Sequence, residues 1–516
     1  MKDNLGERDE GNGRNEGAPI ASRKRGLWIV MPIGATVILI LGAGIEKAGA
    51  KKAVAKKSAA VAVRSDRMAG GLEASRPAAP RPTVSLPESL TPASMLQDTK
   101  TVSLVVRPGE SVESIAWRML PDTAYMTDSE LAAAIRSRNG IENGHPLHPG
   151  QVLQIPGLSV HAFQDKPHLV PRNFDARAIY LTGWTAGSLY GMKLIERWKK
   201  AGGNAVVFDI KDFDGQVRVP FHHPYASQRE ITIRNLPKFI HWLHALHLHV
   251  IARIALFRDE YLAQTYPQFD VRSRKTGKPW LEDGKLDWVD PSIPAVEQYN
   301  LDLARMVAKA GADEIQFDYV RFPAEGDQSD AVFVFQKEHP AMLRTEVITD
   351  FVARAYRMLH PMHVLMSLDV FGVMAWAKPA DLAHTGQDIP RLARHCDVIS
   401  PMIYPSHFFH FDGYADPGDA PEHFISESMR RFMESTKGTG VVIRPWLQAF
   451  AWRTKSYSVN YLLTEVRTAG EEGGIGFLFW NANNQYPKPL EAMGKILAAE
   501  SRSPRREARR ATSSGA

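Results

Sequence analysis

Residues 313–323 read DEIQFDYVRFP. Ile315, Phe317, Tyr319, Val320 and Phe322 give this stretch the composition of a strand packed on both faces, as in a parallel sheet covered by helices. Asp318 breaks that composition near the end of the stretch, with Gln316 two residues before it and Arg321 three after. A buried charge is costly unless it is paired, hydrogen-bonded or used. What Asp318 does therefore depends on what surrounds this strand.

Seven more runs of the same kind lie between residue 174 and about residue 497: ARAIYLT (176–182), NAVVFDI (204–210), HVIARIAL (249–256), HVLMSLDV (363–370), DVISPMIY (397–404), GVVIRPWL (440–447) and GIGFLFW (474–480). Helical patterns such as SLYGMKLIERWKKAG and VEQYNLDLARMVAKAG separate them, and several end in Ala-Gly just before the next run, a common helix-to-strand joint. Eight such units predict an α/β fold of the (β/α)8 TIM-barrel type, whose active sites lie at the C-terminal ends of the strands. A doubly wound open sheet is the alternative, and no Gly-rich nucleotide loop follows the first run to support it.

Alternation along a strand puts every second residue on one face. That pairs Gln316 with Asp318, Ser367 with Asp369, and Asp209 with Lys211. Arg253 lies within the third strand, Tyr404 ends the sixth, Trp446 and Gln448 close the seventh, and Trp480 and Asn481 close the eighth. Polar and aromatic groups are thus expected at one rim of an otherwise apolar barrel. Asp397, at the start of the sixth run, belongs to the opposite face. Sugar rings present C–H patches that stack on indole faces, and carboxylates and amides serve their hydroxyls. The expected ligand is a saccharide, bound by Asp209, Lys211, Arg253, Gln316, Arg321, Tyr404, Trp446, Gln448, Trp480 and Asn481. Asp318 is the expected nucleophile or base, kept ionised by Arg253 or Arg321, and Asp369 the expected acid, raised by apolar neighbours such as Met366 and Phe371. Asp212, Asp214 and Glu325 stand in reserve with Asp209. No cofactor is expected. His241, His244, His247 and His249 have ligand spacing but fall at the end of a helix, on the lower side of the barrel, so no metal is expected either.

The stretches IYLTGWTAGS, AVVFDIKDFDG, LDWVDPSIPAVEQYNLDLA, DEIQFDYVRFP, SLDVFG, ISPMIYPSHF, RPWLQAF and GFLFWNANN resemble a family of glycoside hydrolases related at fold level to the α-amylase-like barrels. The resemblance covers nearly all of residues 174–497. It implies a nucleophilic Asp after the fourth strand, where Asp318 stands. The acid Glu after the fifth strand is replaced by Asp369, and the Arg two residues before the nucleophile by Gln316. A barrel that binds glycan without cleaving it is the alternative function.

Ahead of the barrel, residues 101–157 read as strand, helix, helix, strand, with Ser111 a helix cap and Asn139-Gly140 a helix end. Val106, Gly109, Glu110, Ser111, Ile115 and Ala116, with Asn139, Pro149, Gly150, Leu153, Ile155 and Pro156, resemble a LysM domain. The stretch between Met119 and Leu131 is longer than is usual there. The resemblance implies binding to N-acetylglucosamine-containing glycan, chiefly peptidoglycan, and a place outside the cytoplasm.

Residues 26–45 contain no charge and are long enough to cross a bilayer as a helix. They predict an uncleaved single-pass anchor in a bacterial cell membrane, with a basic cytoplasmic segment at 1–25 and the bulk of the chain periplasmic or extracellular. Secretion after cleavage near Ala48-Gly49-Ala50 is the alternative. Residues 46–100 read as a Pro- and Ala-rich linker and residues 498–516 as a disordered basic tail. The net charge of +6 is concentrated at these two ends, which argues against a dedicated nucleic-acid face. The single cysteine, Cys396, excludes an intramolecular disulfide.

Overall fold

In the computed structural model, which describes residues 89–227 and 229–501, the eight runs form parallel strands that close into a ring. In chain order they are Arg177–Leu181, Ala205–Lys211, His249–Ala255, Glu314–Asp318, Leu365–Phe371, Val398–Met402, a seventh broken into Val442–Ile443 and Trp446–Gln448, and Phe477–Trp480. Each pairs with the next, and the eighth pairs with the first, Phe477 opposite Arg177. The seventh strand breaks at Arg444-Pro445, where proline has no N–H to give a ladder. Helices cover the outside, among them Leu189–Lys200, Leu236–Ala245, Pro294–Lys309, Arg344–Leu359, Pro421–Ser435 and Val459–Glu471.

The pleat sorts the side chains. Ile179, Val206, Phe208, Val250, Phe317 and Leu368 point outward into a large apolar layer under the helices. Ala178, Tyr180, Val207, Ile251, Trp446 and Leu478 form a smaller apolar cluster in the lumen. The rest of the lumen is polar. Arg444 of the seventh strand donates to both oxygens of Glu314 in the fourth at 3.0 and 2.9 Å. Gln316 Nε2 donates to Ser400 Oγ of the sixth strand at 3.3 Å, and Trp446 Nε1 to Asp369 Oδ1 of the fifth at 2.7 Å. Each of these pairs skips at least one strand, so the contact runs through the barrel's interior. The sequence led to an apolar barrel with polar groups at one rim, but the polar column extends to the other end. It is tolerable there because it is paired. Burial would raise the Glu314 pKa, but the Arg444 charge and the His249 hydrogen bond outweigh it and hold the carboxyl down at about 2. At that same lower end Asp397 accepts from Arg172 at 2.9 Å and from the Met366 N–H at 2.9 Å, on the face expected for it.

The LysM-like part pairs Thr99–Val105 antiparallel with Val152–Ser159, with helices Val112–Met119 and Asp128–Asn139 between them. The Ser111 hydroxyl accepts from the Ser114 N–H, and Gly140 ends the second helix at φ 65°. The long stretch between Met119 and Leu131 is where this part docks on the barrel. Ala124 and Met126 join the barrel's outer apolar layer, together with Leu90 and Met95. Lys238, buried in the helix Leu236–Ala245, donates to the carbonyls of Leu120 (2.7 Å) and Tyr125. Asn235 donates to the Pro121 carbonyl at 2.8 Å, and Trp242 Nε1 to that of Leu90 at 2.9 Å. Residues 89–100, read from composition as linker, are therefore ordered, with a turn at Ala93–Leu96 and a strand from Thr99. Lys238→Met should strip donors from two carbonyls at this joint, cost about 1–3 kcal/mol, and speed limited proteolysis between residues 157 and 174.

The expected anchor at 26–45 lies outside the described residues, as do most of the expected linker and tail. Among the described residues no helix is long and apolar enough to cross a membrane. The last helix, Pro487–Ser501, runs past the expected barrel boundary at 497.

Candidate active site

Arg253, in the third strand, is buried at the centre of the site. Its Nη2 and Nε donate to Asp318 Oδ2 at 2.6 and 3.2 Å, and its Nη1 to Asp209 Oδ1 at 2.5 Å and Asp212 Oδ1 at 3.1 Å. Asp369 Oδ2 lies 3.8 Å from Nε. The register explains the gathering: Asp209 stands opposite Arg253, and Arg253 opposite Gln316, on successive strands. One cation faces four carboxyl groups, so the environment must leave some of them protonated. Burial first, and then the charge of Asp318, raise the Asp369 pKa well above its ordinary value, against the pull of Arg253 and of the Trp446 N–H. Burial likewise pushes Asp209 up to about 7, although Arg253 and the Tyr180 hydroxyl oppose it.

The two expected catalytic carboxyls differ in access. The Asp318 side chain keeps 11% of its surface exposed, that of Asp369 1%. Asp318 Oδ1 also accepts the Tyr319 N–H at 2.5 Å. Tyr319 has φ 51°, a left-handed conformation that a bulky residue rarely adopts. Three N–H donors on one carboxyl suit negative charge. Asp369 Oδ1 accepts from Trp446, while its Oδ2 has no hydrogen-bond partner among the described residues. The sequence placed both groups at the mouth, but only Asp318 reaches it; Asp369 is closed over by its neighbours.

An aromatic wall faces the carboxyls. Trp480, half-buried, lies nearly parallel to Tyr180 (6.5 Å, 30°) and to Tyr404 (5.4 Å, 27°), with Phe450 edge-on at 5.3 Å. Tyr180 was not expected here. Its signal lies in ARAIYLT, where Ala178 and Tyr180 alternate with Ile179 and Leu181. Trp446, expected as a stacking face, is buried and instead orients Asp369. Gln316 is fully buried in the lumen. Gln448 is also fully buried and ties two loops together, donating to Phe450 O (3.1 Å) and Thr454 Oγ1 (2.8 Å) and accepting from the Ser406 N–H (3.0 Å). Asn481 donates to the Ala449 carbonyl at 2.7 Å.

Two expected ligand-facing cations are elsewhere. The second strand shifts register between Asp209 and Lys211, so Lys211 stands opposite Ile254 rather than sharing a face with Asp209. It is fully buried and bonded to Asp259 at 2.5 Å. Arg321 does not pair with Asp318; its guanidinium stacks on Phe371 (4.3 Å) and Trp288 (4.7 Å). Of the reserve acids, Glu325 is half-buried, and burial with the nearby Glu282 pushes it up to about 7.

Of the histidines, His244 stands with His168 and Asp313, with donor atoms within 4.8 Å of one another. Both His244 ring nitrogens are already engaged, by Asp165 at 3.0 Å and Asp313 at 3.1 Å. Burial disfavours its charge, but these carboxylates outweigh it and raise its pKa to about 9, and through them His244 ties residues 165–168 to the barrel base.

A family profile described as "Putative glycosyl hydrolase domain" matches residues 178–486, and a LysM domain profile matches residues 104–156. No curated protein matches the chain. Among solved structures, the glycoside hydrolase domain of PgaB (BpsB) from Bordetella bronchiseptica is 15% identical, over 62% of this chain and 98% of that one, at a TM-score of 0.47. The spore cortex-lytic enzyme SleL of Bacillus megaterium is 11% identical over 76% and 85%, at 0.38. A hypothetical protein from Ruminiclostridium thermocellum is 31% identical over 37% and 97%, at 0.33. The first profile spans more than half of the chain and includes every carboxyl group around Arg253; the chain belongs to that glycosyl hydrolase family and carries a LysM domain ahead of its barrel.

Proposed function

We propose that the chain hydrolyses a glycosidic bond in a cell-wall or extracellular polysaccharide, with Asp318 and Asp369 as the reacting pair. The observation that carries this is the pair's split environment around Arg253. Asp318, the less enclosed of the two, is held by three N–H donors; Asp369 is enclosed, and burial and the Asp318 charge raise its pKa. Two carboxyls held in different states by their surroundings are the requirement for this chemistry. Asp369 gives its proton to the departing sugar oxygen, and Asp318 either bonds to the anomeric carbon or takes a proton from the water that does. The sugar ring lies against Trp480, and the side chains closed over Asp369 move aside to admit the scissile oxygen. The LysM domain holds the enzyme on peptidoglycan, and residues 26–45 anchor it in the membrane with the barrel outside the cytoplasm.

A second reading gives the acid role to Glu325, which is partly exposed and whose own pKa is raised to about 7. The pH–rate profile separates the two. Asp369→Asn should lower kcat by roughly 10²–10⁴-fold and remove the alkaline limb, with Glu325→Gln changing neither. The converse result assigns the proton to Glu325. Folded wild-type chain that binds polysaccharide and releases no product from any of them would leave only glycan binding.

A further inference from the structure

Trp117 of the LysM domain and Trp184 at the barrel rim are 59% and 56% exposed, the two most exposed tryptophans among the described residues. Each is backed by an arginine, and both arginines come from the segment that follows the second barrel strand. The Arg218 guanidinium lies 5.0 Å from the Trp184 ring, and that of Arg234 4.3 Å from the Trp117 ring. Both arginines are fixed in turn. Arg218 is 3% exposed and bonded to Asp214 and Glu230, and Arg234 donates to the Trp117 carbonyl at 2.6 Å. One backbone junction links the two places: the N–H groups of Thr232 and Ile233 both donate to the Arg218 carbonyl at 3.0 Å, and Arg234 is the next residue. Thr232 Oγ1 also donates to the Gly183 carbonyl at 2.7 Å.

A cation stacked under an indole immobilises the ring and leaves its other face to solvent. An exposed, immobilised ring sacrifices apolar burial, and it loses little further freedom when a flat apolar ligand settles on it. Gly183 shows how closely this is built. A Cβ there would stand 2.3 Å from Arg218 Cγ and 2.9 Å from the Asp209 carbonyl, so the Trp184 platform abuts the backbone of the carboxyl cluster itself. Tyr180, which joins Trp480 and Tyr404 in the aromatic wall, comes from the strand that leads into Trp184.

We infer that the glycan-binding surface continues beyond the barrel mouth, over Trp184 to Trp117, so that one polysaccharide strand is held by barrel and LysM domain together. The inference rests on the reading of the barrel as a polysaccharide site. The charged rim of Asp214, Glu230 and the two arginines suits a hydroxylated chain better than an apolar protein face.

The test uses full-length chain carrying Asp318→Asn, so that binding is measured without cleavage. Affinity is measured for short and for long soluble chains of N-acetylglucosamine and for purified sacculi. In this background affinity should rise with chain length, as two linked contacts require. Adding Trp117→Ala and Trp184→Ala should remove about tenfold or more of that gain while short-chain affinity stays within about twofold. Trp117→Tyr with Trp184→Tyr should restore most of it, because a flat ring is kept. An undiminished length gain in the alanine pair, or tyrosines that fail as fully as alanines, would overturn the inference. Cleavage plays no part in the readout, so a chain that proves unable to hydrolyse its ligand would count against the proposed function and leave this result standing.

Discussion

Arg253→Met should cost the fold about 3–5 kcal/mol, because it removes the counter-charge from Asp318, Asp209 and Asp212 in a lumen nearly closed to water. Methionine fills similar space, so little of the loss comes from a cavity. The cost should depend on pH. At low pH the three carboxyls take protons and no longer need the cation; as pH rises they must either ionise unpaired or stay protonated at a cost. The gap between variant and wild type should therefore widen from pH 4 toward pH 8. Urea unfolding at both ends of that range measures it. Asp209→Asn added to Arg253→Met should recover part of the loss, because the buried carboxyl it removes is one of those left unpaired. A uniform loss at all pH values would mean that Arg253 acts through packing alone.

Asp318→Asn should lower the turnover of folded chain by roughly 10²–10⁴-fold. The amide fits the same space, but it has one oxygen for two sets of donors: with that oxygen toward Arg253, its NH2 faces the Tyr319 N–H and that hydrogen bond is lost. It also removes the charge that, after burial, does most to raise Asp369. The Asp369 pKa should therefore fall in this variant, and side-chain carboxyl titration by NMR follows it directly. A structural salt bridge would behave differently: folded Asp318→Asn chain would then keep its turnover.

Much of the barrel is legible in the sequence because eight β-rich runs alternate with helical ones, and no Gly-rich loop follows the first to favour an open doubly wound sheet. Asp318 and Arg253 are legible because a charge inside an apolar strand is conspicuous. Lys211 is misplaced by the same rule, since a single bulge after Asp209 reverses which face a residue takes and leaves no mark in composition. Arg321 reads as a partner for Asp318 by proximity along the chain, but its stacking on Trp288 and Phe371 depends on loops distant in sequence. The depth of Asp369 and Trp446 is set by barrel closure and the loops above it, which alternation does not encode. The docking of the LysM domain is half visible: the long stretch between Met119 and Leu131 is anomalous, but only the fold shows Ala124 and Met126 buried against the barrel.

The account stands on the open and the enclosed carboxyl beside Arg253 acting as a pair on a saccharide. Incubating purified sacculi and a panel of other polysaccharides with wild-type, Asp318→Asn and Asp369→Asn chains, and counting new reducing ends, tests it most directly. The account predicts new ends from at least one polymer with wild type and a loss of at least about a hundredfold with either variant, each folded as judged by its melting curve. Equal yields from wild type and Asp318→Asn would contradict it.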